Sequence, residues 1–400
     1  MIRPWVLAGL VLGLCPTCAL AQRFGDPDVA VVHHRPRTID VKHLKLDIEV
    51  DIPAEHVRGT STLTATWLRS PTPIILDAAD LAIAAVRVAG VAVPFQLDED
   101  RLRISPSPPP VGTFEIAIDY EARPKRGLYF VHADPAYPER SDQAWSQGEP
   151  QEAHFWFPCY DYPDDRFSTE MVARVAPGLQ VVSNGTVVSD EVQGERRVVR
   201  WVQAERHVNY LIFLAIGTFD EVAVGVHAGK TPVTAWVPRG RTAEAPRSFA
   251  QTPEMLTFLE DLAGVPFPWA KYGQITVDDF RWSGMENTSI TTLTQDTLHA
   301  EADEDTAASD TLVVHELAHQ WFGNWLTCRS WRHLWLNEGF ASYIETLWLE
   351  HAKGLDAGDF DRQGGKQWYM GEAYRRRIDE PRFEDPDDLF DGHTYAKGAA

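Results

Sequence analysis

Four hundred residues exceed one ordinary domain, so at least two folding units are expected. A composition that is 44% hydrophobic and 24% charged supplies sizeable cores and excludes a generally disordered chain. The formal charge of −21 excludes the basic face that a nucleic-acid partner requires, and it suits a protein whose ligands are cationic.

Residues 1–21 read as an export signal. Arg3 supplies the positive start, residues 6–14 the apolar stretch, and Ala19-Leu20-Ala21 a small-x-small cleavage site before Gln22. The apolar run is too short to span a bilayer, so the expected mature chain has no stable membrane span and is exported to the periplasm or the exterior. A retained signal anchor is the alternative. Cys15 and Cys18 lie inside the segment to be removed, which leaves Cys159 and Cys328, too few for a disulfide scaffold.

The pattern that follows is of strands. Leu44, Leu46, Ile48 and Val50 alternate with Lys45, Asp47 and Glu49, which predicts a half-buried strand. Phe114, Ile116, Ile118 and Tyr120 repeat that period. Residues 86–95 carry a central glycine and read as a hairpin, and residues 106–110 (PSPPP) as loop or polyproline. Further strands are expected at 171–175, 198–202 and 210–216. Residues 22–224 are therefore expected to form an antiparallel β domain that ends near residues 220–224.

Residues 225–400 are expected to be rich in helix. Thr252-Pro253 opens a helix through Ala263 that Gly264 closes. Residues 301–305 (EADED) read as a solvated acidic turn. From Thr306 the pattern is helical up to Gly323-Asn324, and a second helix is expected from Asn337 to about Ala352.

His315-Glu316-Leu317-Ala318-His319 falls on the first of these helices. Residues four apart share a helix face, so His315 and His319 present two imidazoles side by side. Catalytic zinc commonly takes three protein ligands and a water, and Glu316, next to one ligand, can reach that water as general base. Two ordinary surface histidines are the competing reading. The third ligand separates the two. Glu338 follows His319 after eighteen residues at the start of the second helix, where a returning helix can complete a His-His-Glu shell.

Residues 315–324 (HELAHQWFGN) and 334–343 (LWLNEGFASY) together resemble the gluzincin aminopeptidases, the family of alanyl aminopeptidase and leukotriene hydrolase. Residues 282–288 (WSGMENT) resemble that family's Gly-x-Met-Glu-Asn exopeptidase strand. Gln147-Gly148-Glu149 is similar to its upstream Gln-x-Glu, residues 157–163 (FPCYDYP) to its Phe-Pro-Cys-x-Asp-x-Pro landmark, and residues 394–399 (TYAKGA) to the segment that carries its catalytic tyrosine.

The resemblance implies an α+β multidomain fold, with an antiparallel saddle-like β domain followed by a thermolysin-like zinc catalytic domain. It implies one zinc per chain on His315, His319 and Glu338, with Glu316 activating water and Tyr395 stabilising the oxyanion. Gln147 and Glu149, with the strand residues Ser283, Gly284, Met285, Glu286 and Asn287, would bind a peptide by its free N-terminus. A desolvated ammonium needs paired carboxylates, and a phenol aimed at developing negative charge supplements the metal. The implied reaction is removal of N-terminal residues; a zinc endopeptidase and a non-catalytic zinc module are the rivals. The sequence carries no signal of oligomeric state.

Some positions depart from the family pattern. Ser283 stands where the strand usually has glycine, Tyr162 where Glu is frequent, and Arg332 and His333 where acidic or small residues are usual. The family also continues past its tyrosine, whereas this sequence stops five residues after Tyr395. A catalytic domain incomplete at that end, with Tyr395 on a fraying segment, is therefore expected.

Overall fold

Period-two alternation decides the first half of the molecule. The computed structural model describes residues 28–69, 71, 73–138, 140–303, 309–373 and 376–400. The export-signal reading, with Cys15 and Cys18, lies outside them, as does part of the 301–305 turn. Leu44, Leu46, Ile48 and Val50 all turn inward on the strand Ile39–Asp51, and Phe114, Ile116, Ile118 and Tyr120 do so on Thr113–Ala122.

Both strands belong to an eight-stranded sheet that also contains His56–Trp67, Arg166–Val175 and Arg196–Val208. The sheet is not wholly antiparallel, because Ile39–Asp51 runs parallel to Arg166–Val175. The hairpin joins Leu81–Val88 to Val91–Ala92, and 106–110 is loop. Residues 210–216 do not make one strand. Asn209–Leu211 form a 3₁₀ turn that directs Tyr210 inward, and a strand starts only at Leu214.

A four-stranded sheet joins Gln180–Ser183, Leu214–Gly217, Gln143–Ser146 and Leu128–Val131. Gln143–Ser146 is buried on both faces and leads directly into Gln147 and Glu149. Residues 157–163 knot this region together: Cys159 exchanges backbone bonds with Asp77, and the Asp161 carboxylate accepts from His154 and Asn209. Cys159 and Cys328 are free thiols, both buried.

The strand Phe219–His227 runs through residues 220–224 and pairs with Thr231–Pro238, so the change of sheet falls between Gly217 and Phe219. The sheet that follows has five strands, of which Thr231–Pro238, Tyr272–Val277 and Ile290–Thr294 lie parallel. Its edge is the short strand Gly284–Met285. Around it stand α1 (Ala245–Ser248), α2 (Thr252–Ala263), α3 (Asp310–Ala318), α4 (Trp335–Lys353) and α5 (Leu355–Glu372). Gly264 closes α2 in the left-handed region at φ 65°.

Described helix α3 starts at Asp310 and ends at Ala318, short of Gly323, because the chain after His319 folds back on itself: Asn324 N donates to His319 O and Leu326 N to Trp321 O. Val314, Leu317, Trp321 and Trp348 pack with Val233 and Leu256 into one core, which fixes α3 and α4 against the sheet. Among the described residues no helix is long and apolar enough to cross a membrane.

Candidate active site

His315 lies in the last turn of α3 and His319 one residue past its end, still in helical dihedrals at φ −58° and ψ −24°. The two rings therefore project side by side, with their Nε2 atoms 3.1 Å apart. The first turn of α4 brings Glu338 to them, and its Oε2 stands 3.3 Å from each Nε2.

Ligand atoms at about 2.0–2.1 Å from a tetrahedral zinc stand roughly 3.3 Å from one another. The observed triangle has that size. The outer ring nitrogens are also engaged. His315 Nδ1 donates to Glu345 Oε1 at 2.6 Å, and His319 Nδ1 donates to the Phe322 carbonyl at 2.9 Å. Such outer bonds fix each ring and turn the Nε2 lone pair inward, so the residues present fit a zinc ion.

The surroundings favour positive charge between these atoms. Burial opposes charging His319, but Glu286 and Glu338 outweigh it and push its pKa up to about 9. Burial likewise opposes charge on Glu338, and His319 and His315 pull it down to about 2.

Glu316 points from the buried face of α3 toward the edge strand. Burial pushes its pKa up to about 8, against the pull of His315 and His319. Its carboxylate lies where a side chain on Gly284 would begin: a Cβ there would collide with Oε1 and stand 2.8 Å from Cγ. The strand is pinned to α3 by side chains of the turn beyond it. Gln320 Nε2 and Asn324 Nδ2 donate to the Glu286 carbonyl at 3.1 and 2.7 Å, and Gln320 Oε1 accepts from Ser289 N at 2.9 Å.

Glu286 and Glu149 meet beside the triangle. One carboxylate oxygen from each, with one from Glu338, lies within 4.8 Å of the other two. Burial first, then the neighbouring Glu286, Glu338 and Glu316, hold Glu149 well above the ordinary carboxylate range. Tyr210 Oη donates to Glu286 Oε1 at 3.2 Å and accepts from Asn337 Nδ2 at 3.2 Å. Glu149 Oε1 and Gln147 Oε1 are buried and have no partner. Buried polar atoms left open at a cavity wall mark a place for a polar ligand.

One cavity of about 790 Å³ unites these groups. Gln147, Glu149, Ser283, Gly284, Glu286, His315, Glu316, His319, Glu338 and Tyr395 all line it. The Met285 and Asn287 side chains do not. Met285 is buried in the core, and Asn287 is buried with its Oδ1 accepting from Thr292. Ser283 sits at φ 63°, a left-handed conformation that explains why glycine suits this position.

Tyr395 is packed against aromatic neighbours in the cavity. Its ring stacks on Trp368 at 5.8 Å and on His315 at 6.1 Å. Burial and the nearby Glu338 and Glu149 hold its phenol well above the ordinary value, so it remains an O–H donor. Arg332 and His333 face Asp379 rather than the His315–His319–Glu338 triangle, and Tyr162 Oη donates to Ser330 Oγ at 2.9 Å.

Glu345, Tyr210, Trp368 and Phe390 escaped the sequence reading. Glu345 alone left a signal there, seven residues after Glu338 and so on the same face of α4.

Residues 247–400 match the Peptidase family M1 domain and residues 40–211 the Peptidase M1 N-terminal domain. Among curated relatives, the chain is 26% identical over 353 residues to "Probable aminopeptidase 2" of Sulfurisphaera tokodaii, covering 84% of this chain and 43% of that protein. It is 28% identical over 355 residues to "Leukotriene A-4 hydrolase" of Xenopus laevis, covering 82% and 55%. The chain spans about half the length of the curated relatives it matches.

Among solved structures, native yeast LTA4 hydrolase superposes with a TM-score of 0.79 at 22% identity, covering 90% of this chain and 58% of that one. An M1 zinc metallopeptidase mutant of Deinococcus radiodurans, bound to a Tyr-Ser-Ala substrate, superposes with a TM-score of 0.76 at 23% identity, covering 92% and 82%. Both likenesses establish the α+β fold. On the two matched domains, this chain belongs to peptidase family M1.

Proposed function

We propose that the protein is a zinc-dependent aminopeptidase that removes residues from the free N-terminus of peptides. One observation carries this reading: the carboxylates of Glu149 and Glu286 stand together beside the His315–His319–Glu338 triangle, in the same cavity as Glu316. Two buried carboxylates repel each other unless one takes up a proton or a cation lies between them. A peptide's α-ammonium has the right charge, and held there it presents the first peptide bond to the base.

Held by His315, His319 and Glu338, zinc would supply a Lewis acid and make water more acidic. The remaining work falls to this chain's own groups. Glu149, Glu286 and the open Gln147 oxygen hold the ammonium. Glu316 takes a proton from the attacking water and returns it to the leaving amine. Tyr395 donates its hydroxyl proton in a hydrogen bond to the carbonyl oxygen as negative charge builds there. Export through cleavage after Ala21 belongs to the same proposal, and mass spectrometry of the mature N-terminus checks it.

The decisive assay gives the zinc-loaded protein matched peptides with free and acetylated N-termini. Stepwise loss of residues from the free peptides alone supports the reading. Internal cleavage of blocked peptides at a similar rate would establish an endopeptidase instead. Bound zinc with no cleavage of either peptide would leave a non-catalytic module.

A further inference from the structure

A buried guanidinium that does not line the cavity holds the turn leading to Tyr395. Arg376 is 8% exposed. Its Nε donates to Asp391 Oδ2 at 2.9 Å and its Nη2 to Asp391 Oδ1 at 2.5 Å. The same Nη2 reaches the Leu389 carbonyl at 2.8 Å and Thr394 Oγ1 at 2.7 Å. A planar five-donor fork holds such acceptors in a fixed geometry, whereas lysine offers only three donors on a flexible stem.

Asp391 passes this grip to the turn that carries the phenol. Its Oδ1 accepts from His393 N at 2.9 Å, and its carbonyl accepts from Thr394 N at 3.0 Å and Tyr395 N at 3.1 Å. Neither Arg376, Asp391 nor Thr394 lines the cavity, whereas Tyr395 does. On the far side, the chain past Tyr395 lies backbone to backbone on α4: a Cβ on Gly339, next to Glu338, would stand 2.6 Å from Gly398 Cα. Tyr395 is thus slung between a charged clasp and a close glycine contact.

We propose that Arg376 is a positioning residue for Tyr395: by gripping Asp391, Leu389 and Thr394 it sets the turn from which the phenol reaches the reacting carbonyl. The inference rests on the assignment of Tyr395 as oxyanion donor. Stacking on Trp368 keeps the ring nearby, but stacking tolerates sliding and rotation that a hydrogen bond to a developing oxyanion does not. Arg376 therefore acts on the transition state and hardly on substrate binding.

The test compares the zinc-loaded parent with Arg376→Met, Tyr395→Phe and the double variant. It measures kcat, KM and zinc content on an aminoacyl amide, and affinity for a phosphinic peptide that imitates the tetrahedral state. Tyr395→Phe is expected to lower kcat by roughly 10²–10³. Arg376→Met is expected to lose much of that factor, about 10- to 100-fold, with KM and zinc nearly unchanged. Phosphinic affinity falls in parallel, and the double variant is no worse than Tyr395→Phe, as expected for residues acting as one unit.

Losses that multiply in the double variant, or full kcat in Arg376→Met beside a crippled Tyr395→Phe, overturn the positioning role and leave the aminopeptidase reading intact. Full kcat in Tyr395→Phe removes the oxyanion assignment and this inference with it. If Arg376→Met does not fold, Arg376→Lys serves in its place. It keeps the buried charge without the fork and is expected to show the same loss confined to kcat, so parental kcat in that variant refutes the proposal.

Discussion

Gly284 and Glu316 compete for one volume: the Glu316 carboxylate occupies the space that any side chain at position 284 would need. The edge strand must therefore be bare where the Glu316 carboxylate, the proposed base, rests on it. Gly284→Ala is expected to displace Glu316 and cut kcat by roughly 10²-fold, the scale of a lost general base. Zinc content should stay at the parental level, since His315, His319 and Glu338 are untouched. Parental kcat in Gly284→Ala would show that Glu316 has room to move without losing its function.

The neighbouring position makes the opposite prediction. Ser283 holds φ at 63°, where a side chain costs about 1–2 kcal/mol. Glycine removes that strain but adds chain entropy to the unfolded state, which offsets part of the gain. Ser283→Gly is expected to raise Tm by roughly 1–2 °C, with kcat/KM little changed. A lower Tm would mean that the serine makes a stabilising contact that outweighs the strain.

On the proposed function, Glu149 and Glu286 serve a cationic ligand at the expense of stability. Burial and like charge already hold Glu149 well above the usual carboxylate range. Glu149→Gln is expected to raise the Tm of the ligand-free protein while lowering kcat/KM, the trade-off of a site built to receive a cation. Calorimetry and kinetics on the same sample check both halves. A loss of stability on substitution would show that the pair is already compensated within the protein.

How much was legible in the sequence follows the range of each interaction. His315 and His319 were readable because four-residue spacing fixes their relation within one helix. The inward faces of Ile39–Asp51 and Thr113–Ala122 were readable because period two fixes them within one strand. Alternation says nothing of which strand lies alongside, so the parallel pairing with Arg166–Val175 was hidden. Likewise Tyr210 reaches Glu286 across 76 positions, and no local pattern reports such a contact. The turn at Tyr210 broke an apolar run that read as strand, because tertiary contacts of Asn209 and Tyr210 overrode local preference.

Glu345 tests the proposed zinc site from outside its triangle. Its carboxylate accepts from His315 Nδ1 at 2.6 Å, which fixes that ring and makes its inner nitrogen a better donor to metal. Glu345→Ala is expected to weaken zinc binding by about 10- to 100-fold, the usual effect of removing such an orienting group. Competition with a chromophoric chelator measures this directly, without reference to turnover. Unchanged affinity would mean that helix packing alone holds the ring.

The last prediction concerns acid stability and a residue that does not line the cavity. His207 is fully buried; its Nε2 meets Thr169 Oγ1 at 2.9 Å and its Nδ1 has no partner. Burial, reinforced by Arg166, lowers its pKa from 6.5 to about 3. Between those values the unfolded chain takes up a proton that the folded chain refuses, so this residue withdraws stability as pH falls through that window. The slope approaches ~1.4 kcal/mol per pH unit at most. Asp165 works the other way, because burial raises its pKa from 3.8 to about 6, against the pull of Arg37. Asp165 therefore offsets part of the His207 contribution where their windows overlap, and a substitution is needed to isolate His207 from the other titrating groups. His207→Gln keeps a polar group for Thr169 and cannot titrate. It is expected to cost stability at pH 7 and to recover relative to the parent as pH is lowered toward 4, measured as the difference in Tm at each pH. A difference that stays constant from pH 7 to pH 4 would show that His207 binds its proton equally well in both states, and the burial argument would fail.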